Sequence, residues 1–298
     1  MKKIGITLGD QAGIGPEIVT AALADPRLAE WCPSDVEFRI IGDRIDAVPG
    51  KPDIASAQAA LDALEESVRL VKAGEIDAIV TAPVAKEGLH KVGFVYPGQT
   101  EFFAERLNCV DHAMCLTGEK LTVALVTIHV PISTVSSSLR ESEIIRVGNL
   151  LEKFCRQKRK SNKRDGESKI AVCGLNPHAG ENGAFGSEDE QIIAPAIAKL
   201  NQLFDRKGNI FSGPHPADTI FKPASEGEYD AVLCMYHDQG LIPLKLLDFA
   251  TGVNTTLGLS HPRTSPDHGT AFDIAGKGLA DHESMLHAIK LAVDLVCS

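Results

Sequence analysis

Short apolar runs alternate with Gly-, Pro- or Asn-rich turns and with helical stretches along almost the whole chain. Residues 3–9 read as a strand and 16–24 as a helix, with Pro16 at the first helical position, where a missing N–H costs nothing. The pattern then predicts a strand at 38–42, a long amphipathic helix at 55–73, a buried strand at 77–81 and a helix at 100–107. Further on it predicts a strand at 121–128, a helix at 141–156, a strand at 169–174 and a helix from 188. Ser187 with Glu190 three residues later has the spacing of a capping box for that helix. Strands at 230–236 and 252–259 and a helix at 283–296 complete the series. Near-continuous apolar strands alternating with helices specify a mostly parallel α/β sheet covered on both faces.

Composition narrows the class. The 298 residues are 44% hydrophobic and 23% charged, which suits an ordinary globular chain of about two domains. The net charge of −10 and the 5% aromatic content argue against a nucleic-acid or anionic-membrane partner. No apolar run reaches the roughly 18–20 residues of a membrane span. The opening MKKIGITLGD enters a strand pattern directly, unlike a signal peptide, so a cytoplasmic location is expected. Seven scattered cysteines without a C-x-x-C pair fit a reducing compartment and a structural role. The basic stretch 153–169 reads as a solvated helix end and loop.

Ligands of open α/β sheets bind beyond the carboxyl ends of the strands. Three histidines follow strands: His129 after LTVALVTI, His178 after KIAVCGLNP and His237 after DAVLCMY. One such histidine is ordinarily structural. Three equivalent imidazoles suggest a catalytic metal site with an open coordination position, and Asp238 beside His237 could ligate or orient. The opening loop, residues 9–17, has neither G-x-G-x-x-G nor Walker A spacing, so it reads either as a tight turn or as a ligand-contacting loop. Lys245, Asn254 and Arg263 are polar residues set in or beside apolar stretches, and such cations suit a small anionic substrate.

The motifs TLGDQAGIGPE, TAPVAKEG, PGQTEF, TIHVPIS, GLNPHAGENGAFGSE, GPHPADTIF, MYHDQGLIPLK, GVNTTLGL and RTSPDHGTAFDIAGKG run through essentially the whole length. Together they resemble the 4-hydroxythreonine-4-phosphate dehydrogenases and their four-carbon acid phosphate relatives. That resemblance implies two α/β domains around a cleft, like isocitrate and isopropylmalate dehydrogenases, and a homodimer. It sets the first domain at residues 1–118 plus 264–298 and the second at 119–263, which would carry the metal-binding histidines and the dimer interface. It implies metal ligation by His129, His178 and His237, with zinc preferred and magnesium, manganese or cobalt as alternatives. It also implies substrate contacts from Gln99, Thr100, Lys245, Asn254 and Arg263, with Lys245 as the proton-transfer group. The adenosine of NAD or NADP would lie on the loop containing His268, Gly269, Thr270, Asp273 and Ile274.

One position departs from the family pattern: Gln99 stands where a histidine is usual, and Gln carries neither proton nor positive charge at neutral pH. His261-Pro262 likewise replaces a pair that is commonly apolar. Three readings follow. The first is metal-dependent oxidation, with decarboxylation, of a small phosphorylated hydroxy acid, 4-phosphohydroxy-L-threonine, yielding 3-amino-2-oxopropyl phosphate for pyridoxal phosphate synthesis. The second is oxidation of D-threonate or D-erythronate 4-phosphate in sugar-acid catabolism. The third is a non-catalytic binding homologue.

Overall fold

The computed structural model describes residues 1–204 and 209–297. The chain begins with β1 (Lys2–Thr7), α1 (Gly15–Ala24), α2 (Pro26–Trp31), β2 (Val36–Ile41), α3 (Ile54–Lys72), β3 (Ala78–Thr81), α4 (Lys86–Lys91) and α5 (Gln99–Arg106). The middle contains β4 (Ala113–Thr117), β5 (Thr122–Leu125), α6 (Val135–Ser138), α7 (Glu141–Ser161), β6 (Ile170–Cys173), α8 (Ala194–Phe204), β7 (Phe211–His215), α9 (Ala217–Ser225), β8 (Ala231–Cys234) and α10 (His237–Asp248). It ends with β9 (Val253–Leu257), β10 (Arg263–Pro266) and α11 (Glu283–Val296).

Two compact units result: Met1–Val110 with Ala250–Ser298, and Asp111–Phe249. The sequence reading set the boundaries at 118 and 263. The difference at the second boundary has a simple origin. β10 pairs in parallel with β3, and β9 pairs antiparallel with β10, so Asn254 and Arg263 both join the first unit.

Strand order in the first unit is β2-β1-β3-β10-β9. Every residue of β3 is buried, as expected for a strand covered on both faces. Leu64 and Val68 of α3 and Phe102 and Phe103 of α5 pack with Ile41 and Ile79 in one core cluster. The helix α11 packs on β1, β3, β9 and β10, and its apolar face from Met285 to Leu295 is buried. Thr7 and Thr81 are register partners at the carboxyl ends of β1 and β3. That end of the sheet holds the polar residues of interest.

Strand order in the second unit is β4-β5-β8-β6-β7, parallel except for the β4–β5 pair. Val123, Leu125, Val232 and Cys234 pack with Leu241 and Leu244 of α10 and Ile220 of α9. Cys115, Cys155, Cys173 and Cys234 are all buried. Burial pushes the Cys115 thiol up to about 12 and raises those of Cys155 and Cys234 as well, so these sulfurs act as small apolar groups.

Two local expectations change. The Ser187–Glu190 capping box does not form: a π-helical turn, Asp189–Ile193, leads into α8 with no side-chain cap. Asp189 instead turns back to accept from the backbone N–H groups of Leu175 and Asn176, at 2.8 and 3.2 Å. The helix expected to stop at 156 continues to Ser161. Within the basic stretch, Lys158 donates to Thr117 and Thr122, and Arg159 pairs with Asp230 at 2.9 Å.

Candidate active site

In the first unit, the polar cluster centres on Arg263. This residue is 3% exposed, yet among the described residues no carboxylate stands within ion-pair distance of it. Its Nη2 donates to Thr81 Oγ1 at 2.6 Å and to Gln99 Oε1 at 3.0 Å, and its guanidinium lies over the Phe103 ring at 5.6 Å. Burial lowers its pKa to about 10, against the opposing pull of Glu101, so it remains a cation at neutral pH. Nε of Arg263 and Oδ1 of Asn254 are buried without a hydrogen-bond partner. Such orphaned groups in a folded protein call for an explanation, and a polar, anionic ligand supplies one.

Gln99 and Thr100 begin α5, whose N-terminus has Gly98 in extended conformation and no side-chain cap. The first N–H groups of a helix lack intrahelical partners and favour negative charge. Glu101 Oε2 and Lys86 Nζ, the latter from the start of α4, come to 3.2 and 4.0 Å from the point a Cβ on Gly98 would occupy, so a carboxylate and a cation share this end of α5. Sequence reasoning selected Gln99, Thr100, Asn254 and Arg263. It passed over Thr81 and Lys86 as individual residues, although both lie in the TAPVAKEG motif that directly follows a strand.

The proposed cofactor loop follows β10. His268 Nδ1 lies 3.2 Å from Gly269 O, and its Nε2 is buried without a partner. Ala271 has a positive φ of 41°, and Ile274 N–H closes a turn onto Ala271 O at 3.1 Å. Thr270 is half-buried, and Gly269 and Asp273 are exposed.

The second unit carries His129, His178, His237 and Lys245. The His129 and His237 rings stand 5.6 Å apart, centroid to centroid. His237 opens α10 immediately after β8, and its Nδ1 is 2.7 Å from Asp238 Oδ1. That contact suits a proton on Nδ1, which leaves Nε2 as an electron-pair donor. His178 sits in a left-handed stretch (φ 52°) followed by Ala179, Gly180 and Glu181, also with positive φ, and its ring faces Phe185 at 5.9 Å. Among the described residues, no three His, Cys, Asp or Glu side chains are assembled as a metal-holding group. The structure therefore brings together His129 and His237, with His178 outside that pair.

Lys245 is half-buried on α10, eight residues beyond His237 and so about 12 Å further along the helix axis. Two positioning residues escaped sequence reasoning. Gln239 accepts from Met235 N–H and donates to Gly174 O, both at 2.7 Å, and so ties the ends of β8 and β6 where His237 and the His178 turn begin. Asp189 fixes the same turn through Leu175 and Asn176. Neither has a short-range sequence signal, because each acts across strands.

Comparison with known proteins identifies the relatives of the whole chain. A 4-hydroxythreonine-4-phosphate dehydrogenase of Desulforapulum autotrophicum is 40% identical over 97% of this chain and 94% of its own. A D-threonate 4-phosphate dehydrogenase of Pectobacterium atrosepticum is 41% identical over 99% of each. The crystal structure of a 4-hydroxythreonine-4-phosphate dehydrogenase from Klebsiella pneumoniae matches with a TM-score of 0.81 at 37% identity, over 99% of this chain and 100% of that one. Isocitrate dehydrogenase from Methylococcus capsulatus, at 16% identity and a TM-score of 0.54, shares the fold alone. Fold and relatives together define an α/β dehydrogenase, an oxidoreductase acting on a secondary alcohol. The family model for the pyridoxal phosphate biosynthetic protein PdxA matches residues 18–292, and the chain belongs to that family.

Proposed function

We propose that this enzyme oxidises 4-phosphohydroxy-L-threonine with NAD+ or NADP+, followed by decarboxylation to 3-amino-2-oxopropyl phosphate. The observation that carries the reading is the buried Arg263, with no carboxylate at ion-pair distance among the described residues, beside the N-terminus of α5, which lacks a side-chain cap. A dianionic phosphate would meet the orphaned Arg263 Nε and the first N–H groups of α5, with Thr100 and Lys86 as further donors. Asn254 Oδ1 would accept from a donor on the substrate.

A bound dinucleotide would supply the acceptor for the hydride lost from the carbon bearing the hydroxyl, while the hydroxyl proton leaves to a base. The resulting β-keto acid loses CO2, and the electron pair of the broken bond is taken up by the ketone as an enolate, which is then protonated. Lys245 is our candidate for the group that handles these protons. Residues 268–276 would hold the adenosine of the cofactor.

The donor chemistry of His129 and His237 fits a divalent cation, because their rings adjoin and Asp238 orients one of them. Imidazole donors suit Zn2+ or Co2+ better than Mg2+ or Mn2+, and His178, outside that pair in this structure, is our candidate for the third ligand. A bound ion would supply Lewis acidity to the hydroxyl being oxidised.

Gln99 favours a second reading, with D-threonate or D-erythronate 4-phosphate as substrate. Its amide occupies one Arg263 N–H and offers the ligand a neutral donor. Turnover on the three phosphates, with each dinucleotide and each metal, tests both readings. Absence of dinucleotide reduction on all of them would exclude both.

We also propose a homodimer. Ile242, Leu246 and Phe249 lie at i, i+4 and i+7 along and just beyond α10 and are 66%, 82% and 78% exposed, an apolar stripe suited to a second copy. Light scattering tests it. The enzyme is expected in the cytoplasm, and among the described residues no helix is long and apolar enough to cross a membrane.

A further inference from the structure

We infer that Glu17 is a positioning residue for the cofactor loop, and that the glycine-rich opening clasps this loop rather than cradling a phosphate. The inference rests on the reading of residues 268–276 as the adenosine site. Glu17 lies in the first turn of α1, where a carboxylate is favoured by the helix dipole. Its Oε2 accepts from Gly276 N–H at 3.1 Å and its Oε1 from Ala280 N–H at 3.4 Å, across more than 250 residues of sequence.

The contacts extend along the loop. Ile14 N–H donates to Thr270 O at 3.0 Å, and Gly50 N–H donates to Ala12 O at 2.8 Å. A Cβ on Gly13 would come within 2.7 Å of Thr270 O, and one on Gly50 within 2.8 Å of Phe272 O. Backbone therefore approaches backbone on both flanks of the loop, at distances that only glycine permits. The N–H groups of Ala12, Gly13 and Ile14 are already taken by Asp10 and Thr270, and the two oxygens of Glu17 satisfy loop N–H groups that exposed turns usually leave to water.

The function follows from the connectivity. Residues 268–276 have little regular structure and include Ala271 at positive φ, so their shape depends on outside anchors. Glu17 anchors the far end of the loop and Ile14 the near end. Removing the carboxylate frees the segment that carries Asp273 and Ile274. The cost appears in dinucleotide affinity, since a binding-competent loop is then populated only part of the time.

The test uses full-length Glu17→Gln and Glu17→Ala enzymes, in case the alanine variant folds poorly. Amide hydrogen exchange at Gly276 and Ala280 should accelerate at least tenfold in Glu17→Ala, or in Glu17→Gln if only that variant folds. KM for the dinucleotide should rise about tenfold or more, with kcat within twofold and KM for the phosphorylated substrate unchanged. Unchanged exchange at both amides overturns the inference, as does a parallel loss in kcat and both KM values. Asp273→Ala serves as the control for the underlying reading. If it leaves dinucleotide KM unaltered, the loop is not the cofactor site and the role of Glu17 in cofactor binding falls with it, whatever its exchange behaviour.

Discussion

Gln99 Oε1 accepts a hydrogen bond at 3.0 Å from Nη2 of Arg263, a buried guanidinium with no carboxylate partner among the described residues. A neutral amide here keeps the donor pattern independent of pH, whereas the histidine usual at this position could titrate. Gln99→His should therefore introduce a pH dependence between about pH 5.5 and 8 into KM for the phosphorylated substrate. It should also change the ratio of kcat/KM between 4-phosphohydroxy-L-threonine and D-threonate 4-phosphate. Steady-state kinetics across that range on both substrates check this, and identical profiles and ratios in both enzymes would rule out a specificity role.

Arg263 offers a planar fork that Lys cannot reproduce. Arg263→Lys keeps the charge but loses at least one charge-assisted hydrogen bond, worth about 1.5–3 kcal/mol, so kcat/KM should fall roughly 10- to 150-fold. The melting temperature measured in parallel separates this loss from unfolding of a destabilised core.

Metal dependence should be visible in the histidines and in their neighbour. Asp238→Asn should weaken divalent-ion affinity by about 10- to 100-fold while the fold is retained. His129→Ala should do so at least as strongly. Metal content after dialysis against a graded chelator measures both, and full retention of metal by His129→Ala would remove it from the ligand set.

Acid stability should depend on Asp25. Its carboxylate is held well below the usual range, first by hydrogen bonds from the Arg27 side chain and then by His282, and Glu283 is lowered by Arg27 as well. A lowered folded-state pKa means that the stabilisation is fully present above the unfolded-state value near 4 and is lost as pH falls through the folded one. Asp25→Asn should thus lower the melting temperature at pH 7, and the gap from the parent should narrow steadily below about pH 4. Calorimetry from pH 7 to pH 2 would reveal a constant gap if the ion pairs contribute nothing.

Much of this architecture was legible in the chain because buried parallel strands are apolar throughout and end at turns. The runs around residues 77–81, 169–174 and 230–236 each became a strand, and the placement of His129, His178 and His237 after strands was readable for the same reason. α10 was not foreseen, since Gly240 and Pro243 interrupt its pattern, and only packing on Leu125 and Cys234 makes it a helix. β4 and β7 were missed because short strands without alternation carry little local signal.

The sequence by itself determined the fold class, the family and the chemical types at Gln99, Asn254, Arg263 and the three histidines, because these depend on local pattern and on motifs of neighbouring residues. Tertiary structure decided which of them meet. It joined Arg263 to Thr81 and Gln99 across 182 and 164 residues, placed His129 beside His237 with His178 apart, and revealed Glu17 as the anchor of a loop near the other end of the chain. Such pairings are set by strand order and by buried hydrogen bonds between distant segments, and no local propensity encodes them.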